Sequence, residues 1–151
     1  MISVPVEDMG ECECCTCYAG PCGVTDIPDT LNIEIQSDFG PFACPDLDDI
    51  MFEAEKSPDN PCVWIGTFFA NSCNTLRMVL VFNASTCRFD CSIHTADPAG
   101  DGSGDCAFFS SDVIPPGSFS TVNFFLIDWN PGEYDCGCCG GLVNMHGTIA
   151  A

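Results

Sequence analysis

Apolar and polar residues alternate along several short stretches of the chain. Leu31, Ile33 and Ile35 are separated by polar residues, and a shorter alternation runs over residues 148–150. Because successive side chains of a β-strand point to opposite faces, a period of two predicts strands with one dry face and one wet face. The pattern therefore favours antiparallel sheet.

Short apolar runs of this kind recur from residue 31 to residue 149, and clusters of glycine, proline, asparagine and aspartate separate them. The runs are Leu31 to Ile35, Ile50 to Ala54, Val63 to Phe69, Leu76 to Phe82, Cys87 to Ile93, Cys106 to Phe109, Ser120 to Trp129 and Leu142 to Ile149. No segment keeps the helical apolar period, although a short turn fits residues 46–51. We predict an all-β fold: a disulfide-stapled antiparallel β-sandwich of about eight short strands with little or no helix, a barrel being the related alternative.

Residues 1–24 form an N-terminal arm with a Cys-rich segment, and residues 25–151 form the body of the sandwich. A chain of 151 residues fits a single domain and is long enough to bury a core of its own. We predict one domain overall.

Neighbouring aromatic residues place one ring on each face of a strand. Such pairs require cover on both faces, either from a thick core with loops over it or from another subunit. If another subunit provides the cover, we predict subunit contacts at Phe68, Phe69, Phe124, Phe125 and Trp129.

The chain contains 14 cysteines, an even number that permits every one to be paired. We predict disulfides, as in extracellular proteins. The predicted disulfide cysteines are Cys12, Cys14, Cys15, Cys17, Cys22, Cys44, Cys62, Cys73, Cys87, Cys91, Cys106, Cys136, Cys138 and Cys139. The alternative is a set of thiolate sites for zinc or iron at the two dense cysteine clusters.

Spacing limits which cysteines can pair. On one strand Cys87 and Cys91 lie roughly 13 Å apart, beyond the Cα separation of about 7 Å that a disulfide tolerates. They need separate partners unless the chain turns between them. We also hypothesise that the N-terminal cysteine cluster is bonded to the C-terminal one or to the strand ends beside it.

The charge balance excludes two classes of partner. The chain has 22 acidic residues against three lysines and arginines, and its formal net charge is −19. Nucleic acids and anionic membranes are bound through clustered lysine and arginine, so we expect neither as a partner. No apolar run approaches the length of about 18 residues needed to cross a bilayer, which argues against membrane insertion.

The first residues, MISVPVEDMGEC, lack the basic and apolar segments of a secretory signal. Abundant disulfides nevertheless point to an oxidising environment. We therefore expect an extracellular protein that is either trimmed from a precursor or released when its cell lyses.

One acidic loop is a candidate calcium site. Asp97, Asp101 and Asp105 recur at every fourth position among glycines, and carboxylate oxygens are ligands that calcium prefers. The alternative is an ordinary hairpin loop, because the EF-hand pattern is absent. Apart from this calcium hypothesis, we predict no cofactor.

Nucleophilic catalysis requires a hydroxyl or thiol beside a base, and the chain has only two histidines, His94 and His146. Both lie in predicted strands. With this many cysteines, proximity of one to a histidine is expected by chance, and a zinc site there would lack the usual C-x2-C spacing. We predict no catalytic residues and no enzymatic activity.

A set of short motifs is similar to cysteine-rich β-proteins of unassigned function that tailed phages and planctomycete-like bacteria encode. The motifs are a cysteine cluster, Ile27-Pro28-Asp29-Thr30-Leu31, Trp64 with Gly66, and Cys138-Cys139-Gly140. The resemblance covers most of the chain and implies a structural or surface role.

We therefore predict a structural or accessory component of an extracellular assembly, namely a phage virion protein of the decoration, tail or fibre type. Its partners would be copies of itself or other structural proteins. The alternatives are a secreted bacterial surface or appendage protein and a metal-binding protein that uses its cysteine clusters.

Overall fold

The computed structural model describes residues 22–37, 48–69, 75–95, 105–129 and 143–151. Within these ranges the chain forms β-strands, turns and bends and contains no helix. The all-β prediction is confirmed.

Each predicted run corresponds to a strand, with bounds that differ by a few residues at most. The strands are β1 (Val24–Thr25), β2 (Thr30–Ser37), β3 (Ile50–Lys56), β4 (Val63–Phe69), β5 (Thr75–Asn83), β6 (Arg88–Thr95), β7 (Asp105–Ser110), β8 (Gly117–Ser118), β9 (Thr121–Trp129) and β10 (Val143–Ala150). The two-residue strands β1 and β8 were not predicted.

Eight of these strands form one antiparallel sheet in the order β7-β6-β5-β4-β3-β2-β10-β9. An antiparallel bridge between Ser111 and Phe124 joins the two edges, and the Asp112 amide donates to the Asn123 carbonyl over 2.9 Å. The sheet therefore curls into a barrel-like form, with strands that follow one another along the chain lying side by side.

The inward residues of the strands fill the interior of this sheet. Trp64, Phe89 and Phe124 are fully buried, and alternate residues of β2 and β5 face them. The rings of Trp64 and Phe119 both meet Phe89 edge to face, at centroid separations of 5.7 Å and 5.9 Å. The Trp64 indole N–H donates to the Pro28 carbonyl over 2.9 Å, so the ring is buried without an unpaired donor.

Two inward glycines make room for aromatic rings. A Cβ atom at Gly66 would lie 2.8 Å from the ring of Phe52, and one at Gly147 would lie 2.5 Å from the ring of Phe124. Real Cβ atoms do not approach that closely, so these rings pack directly over backbone. Glycine at both positions is required by packing.

A disulfide joins Cys22, at the start of the described chain, to Cys87, which ends the turn between β5 and β6; their Cα atoms are 5.5 Å apart. Asn83 shapes this turn, because its side-chain oxygen accepts from the Ser85 amide over 2.9 Å. Cys87 has a positive φ of 59° and its carbonyl accepts from the Ile114 amide. The turn, the disulfide and the short β1–β8 pair together cover one end of the sheet.

Candidate functional site

The outward side chains of β4, β5, β6 and β7 form a continuous surface. Its central row runs across the strands through Ile65, Val79, Ser92 and Phe108, each directly opposite the next. We call the whole surface the β4–β7 face; its members are Val63, Ile65, Thr67, Arg77, Val79, Val81, Asp90, Ser92, His94, Phe108 and Ser110.

Large apolar side chains are exposed on this face. Phe108 is 69% exposed, Ile65 38% and Val81 37%. Four strands at a spacing of about 4.8 Å give a surface of roughly 20 Å by 20 Å, on the order of 400 Å². Exposed apolar side chains that lie together on one face mark it as a candidate interaction site.

Acidic side chains are scarce on the β4–β7 face. Asp90 is the single carboxylate among its defined residues, and Glu55 of β3 borders the face directly opposite Ile65, whereas the whole chain carries 22 acidic residues. Asp90 accepts from the Asn83 amide over 3.0 Å and lies 3.4 Å from the Ser110 hydroxyl. Arg77 lies at the opposite margin of the face, directly across from His94. The face thus combines apolar, aromatic and cationic groups, a composition that is enriched in protein interfaces.

His94 is held in place by its neighbours. Its Nε2 atom lies 2.7 Å from the Ser92 hydroxyl, and its ring meets Phe108 edge to face at a centroid separation of 6.2 Å. A serine beside a histidine is also a catalytic pairing, but here the two side chains project from the outside of one strand. Cys91 points to the inside of the same strand, so it does not pair with His94.

A second outer surface, which we call the β2–β3 face, has the opposite character. Its members are Asn32, Glu34, Gln36, Met51, Glu53 and Glu55. Met51 is 74% exposed and lies directly opposite Glu34. The Gln36 amide donates to Glu34 over 3.0 Å, and the Thr30 hydroxyl donates to Glu55 over 2.9 Å. Carboxylates surround an exposed apolar side chain here.

The predicted subunit contacts are only partly on the outside. Phe68 and Phe124 are 4% and 0% exposed and belong to the core, so the interface prediction is wrong for both. Phe125 is 58% exposed and its ring lies 6.3 Å from that of His146. The side chains of Phe69 and Trp129 lie outside the described part of the structure.

The cysteine prediction also needs a correction. Cys22, Cys62 and Cys87 are disulfide-bonded, but Cys91 is a buried free thiol that faces the core. The spacing of Cys87 and Cys91 predicts that they do not pair with each other, and Cys87 is indeed bonded to Cys22. The remaining predicted disulfide cysteines have no described side chain: Cys12, Cys14, Cys15, Cys17, Cys44, Cys73, Cys106, Cys136, Cys138 and Cys139. The proposed bonding between the terminal cysteine clusters lies outside the described residues.

The calcium hypothesis falls largely outside the described residues as well. Asp97 and Asp101 are not described, and Asp105 opens β7 with its side chain undescribed. In the described part of the chain, no group of three or more histidine, cysteine or acidic side chains is arranged to hold a metal ion. Asp48 instead accepts from the Ser37 amide over 3.0 Å.

Lys56 is held by its surroundings at the end of β3. It forms an ion pair with Asp29 at 3.2 Å and lies 5.4 Å from the centroid of the Trp64 ring. Arg88 donates to the Ser111 carbonyl over 3.0 Å. Arg77 is the cation among the defined residues of the β4–β7 face.

Comparisons with protein-family models, curated proteins and solved structures give no match to this chain. The resemblance to phage and planctomycete-like proteins stays a prediction. Among the described residues, no helix of sufficient length and apolarity to span a membrane occurs.

Proposed function

We propose that this protein is a structural subunit of an extracellular assembly and that it works by contact between copies of itself. The observation that carries the proposal is the β4–β7 face, which is poor in acidic residues and exposes Ile65, Val81 and Phe108, on a chain of net charge −19. The sequence resemblance supports a narrower assignment, a phage virion protein of the decoration, tail or fibre type.

The charge distribution supports this function. Molecules of strong like charge repel one another, so a surface that brings copies together has to be depleted in that charge. The β4–β7 face meets this requirement with one carboxylate among its defined residues. The disulfide between Cys22 and Cys87 suits a subunit that has to persist outside a cell.

Self-association of the purified, oxidised protein tests the proposal. We expect wild-type protein to form oligomers in sedimentation velocity runs at concentrations from micromolar to millimolar. Phe108→Ser removes the exposed ring at the β7 side of the contact. A buried phenylalanine contributes about 1.5–3 kcal/mol, so the association constant is expected to fall by roughly 10- to 100-fold.

Val113→Ser is the matched control. Val113 is 53% exposed but lies between β7 and β8, outside the β4–β7 face. This variant is expected to associate like wild type. A wild-type protein that stays monomeric over the whole concentration range contradicts the proposed function.

A further inference from the structure

We propose that the Cys22–Cys87 disulfide is a redox-controlled latch, which holds a cap over one end of the sheet and releases it when the bond is reduced. The cap consists of residues 22–27, which include β1, and residues 114–119, which include β8. The inference goes beyond the proposed function and does not depend on it, because it concerns the state of a single molecule.

The two segments of the cap pair with each other in a small sheet of their own. β1 and β8 have two residues each and form a sheet apart from the eight-stranded one. The Gly117 amide donates to the Gly23 carbonyl over 2.8 Å, and the Phe119 amide donates to the Thr25 carbonyl over 2.9 Å. A two-stranded sheet of this size is a weak fastening, because the net contribution of each hydrogen bond is small.

Cys87 anchors both segments of the cap to the turn between β5 and β6. Its sulfur is bonded to Cys22 in the first segment, and its carbonyl accepts from the Ile114 amide in the second segment over 2.7 Å. Breaking the sulfur–sulfur bond therefore removes the covalent attachment of the first segment and leaves the backbone attachment of the second in place.

The first segment ends where the main sheet begins. The Trp64 indole N–H donates to the Pro28 carbonyl over 2.9 Å, which ties the chain to the core directly after the cap. Between this contact and β1, Asp26 has a positive φ of 59°, a backbone conformation that is found mainly at turns. Once the disulfide is broken, residues 22–27 are therefore expected to swing away as a unit while Pro28 stays in place.

The cap buries apolar side chains at this end of the sheet. Val24 is fully buried, and Ile27, Ile114 and Phe119 are at most 6% exposed. The ring of Phe119 meets that of Phe89 edge to face at a centroid separation of 5.9 Å, so the cap lies directly against the aromatic core. Release of the first segment exposes this apolar surface to water, and the open molecule is expected to bind apolar probes.

A thiol such as glutathione opens the latch at Cys87, which is half-buried beside the exposed residues Ser85 and Thr86. A glutathione thiolate attacks the Cys87 sulfur, the sulfur–sulfur bond breaks, and Cys22 leaves as a thiolate that takes up a proton. A second glutathione displaces Cys87 from the mixed disulfide. The two glutathione molecules supply two electrons and two protons and are oxidised to glutathione disulfide, while the protein gains two thiols.

Hydrogen exchange of backbone amides, followed by NMR, tests the latch in the variant Cys22→Ser with Cys87→Ser. The reporters are the Gly117 and Phe119 amides in the cap and the Phe82 amide in the main sheet. We expect the ratio of cap to sheet exchange rates to rise at least tenfold over wild type, because the cap opens locally. A disulfide that stabilises only the whole fold speeds both exchanges equally, so an unchanged ratio overturns the proposal.

Ser85→Ala is the matched control, because Ser85 is exposed in the same turn and the substitution leaves the sulfur–sulfur bond intact. Its ratio of exchange rates is expected to equal that of wild type. A ratio that rises as much in this control as in the double serine variant would show that the turn, and not the disulfide, holds the cap.

Titration of wild type with glutathione tests the latch without relying on the folding of a variant. Alkylation and peptide mass spectrometry locate the cysteines that are reduced, and the fluorescence of the dye ANS reports exposed apolar surface. We expect Cys22 and Cys87 to become alkylated while far-UV circular dichroism stays native. ANS fluorescence is expected to rise several-fold and to fall again after reoxidation with glutathione disulfide. A bond that persists until the whole protein unfolds, or a reduction that leaves ANS fluorescence unchanged, contradicts the latch.

Discussion

Cys91 shows how the position of one residue decides its chemistry. Its side chain is 3% exposed inside the sheet, and its sulfur contacts the Phe89 carbonyl at 3.7 Å. Burial, with a smaller contribution from the charge of Asp90, raises the pKa of the Cys91 thiol far above its ordinary value. Because the thiolate is the reactive form, this cysteine is chemically inert in the folded protein.

We expect Cys91 to resist alkylation by iodoacetamide in the native protein and to react once the protein is unfolded without reductant. Peptide mass spectrometry after each treatment locates the modified residue. Rapid labelling of Cys91 under native conditions would show that its burial is wrongly assigned.

The same thiol makes stability depend on pH. Below about pH 8.5 both the folded and the unfolded states keep the proton. Above that pH the unfolded state releases it and the folded state retains it, so the free energy of unfolding falls by up to about 1.4 kcal/mol per pH unit. When urea unfolding is measured between pH 7 and 10.5, the free energy of unfolding is expected to fall less steeply with pH for Cys91→Ala than for wild type. Equal slopes for the two proteins would contradict this.

Where apolar and polar residues alternate strictly along a strand, the sequence predicts which residues face inward. In β2 the three residues that the pattern indicates are buried, and Ser37 continues the same inward face. Alternation fails at neighbouring phenylalanines, because Phe124 and Phe125 are identical and only the flanking residues decide which one points inward. The residues around Cys91 in the sequence do not show that it is unpaired, because whether it forms a disulfide depends on which other cysteines the fold brings near it.

At the scale of elements, the seam between β7 and β9 depends on Ser111. Its hydroxyl accepts from the Phe89 amide and donates to the Asp112 carbonyl, both over 2.9 Å, and the residue is fully buried. The backbone of Ser111 also bridges to Phe124. One small side chain thus connects β6 to the closing edge of the sheet.

Ser111→Ala leaves the buried Phe89 amide without its side-chain partner, at a cost of about 1–3 kcal/mol in the free energy of unfolding. Urea denaturation measures the loss. Ser110→Ala is the matched control, because Ser110 is exposed and makes one long hydrogen bond. Equal stability of the two variants would show that the seam does not depend on the hydroxyl.

The Cys22–Cys87 disulfide constrains a loop with a sequence separation of 65 residues. On the chain-entropy account, closing a loop of this length stabilises the fold by about 4 kcal/mol, and other cross-links such as that of Cys62 reduce the gain. Cys22→Ser with Cys87→Ser is therefore expected to lower the free energy of unfolding by up to this amount. A double variant as stable as wild type would mean that the cross-link contributes nothing.

The strands were predictable because each is a short run with its own period and its own flanking turn residues. The β1–β8 pair was not predictable, because a strand of two residues is too short to show an alternation of apolar and polar positions. Register was not predictable either. The row from Ile65 to Phe108 exists because β4, β5, β6 and β7 pair in these particular registers, and a shift of one strand by one residue would turn its member of the row inward.

At the scale of the whole molecule, composition establishes the net charge of −19 but not how the acidic residues are distributed over the surface. The carboxylates of Glu34, Glu53 and Glu55 gather on one side because β2 and β3 pair with each other. The candidate site was missed for this reason: Arg77, Ser92 and His94 are unremarkable in sequence. Only the folded sheet brings Ser92 and His94 beside Phe108 and places Arg77 opposite His94. The sequence signal that would have helped is the scarcity of acids between residues 61 and 89.

The reduced sulfur of Cys91 has an arithmetical consequence for every other sulfur in the chain. Setting one aside from 14 leaves an odd number, and bonds that consume sulfurs two at a time can never use up an odd number within one molecule. A second cysteine must therefore remain reduced, hold some other chemical group, or be tied to a sulfur that belongs to a different molecule.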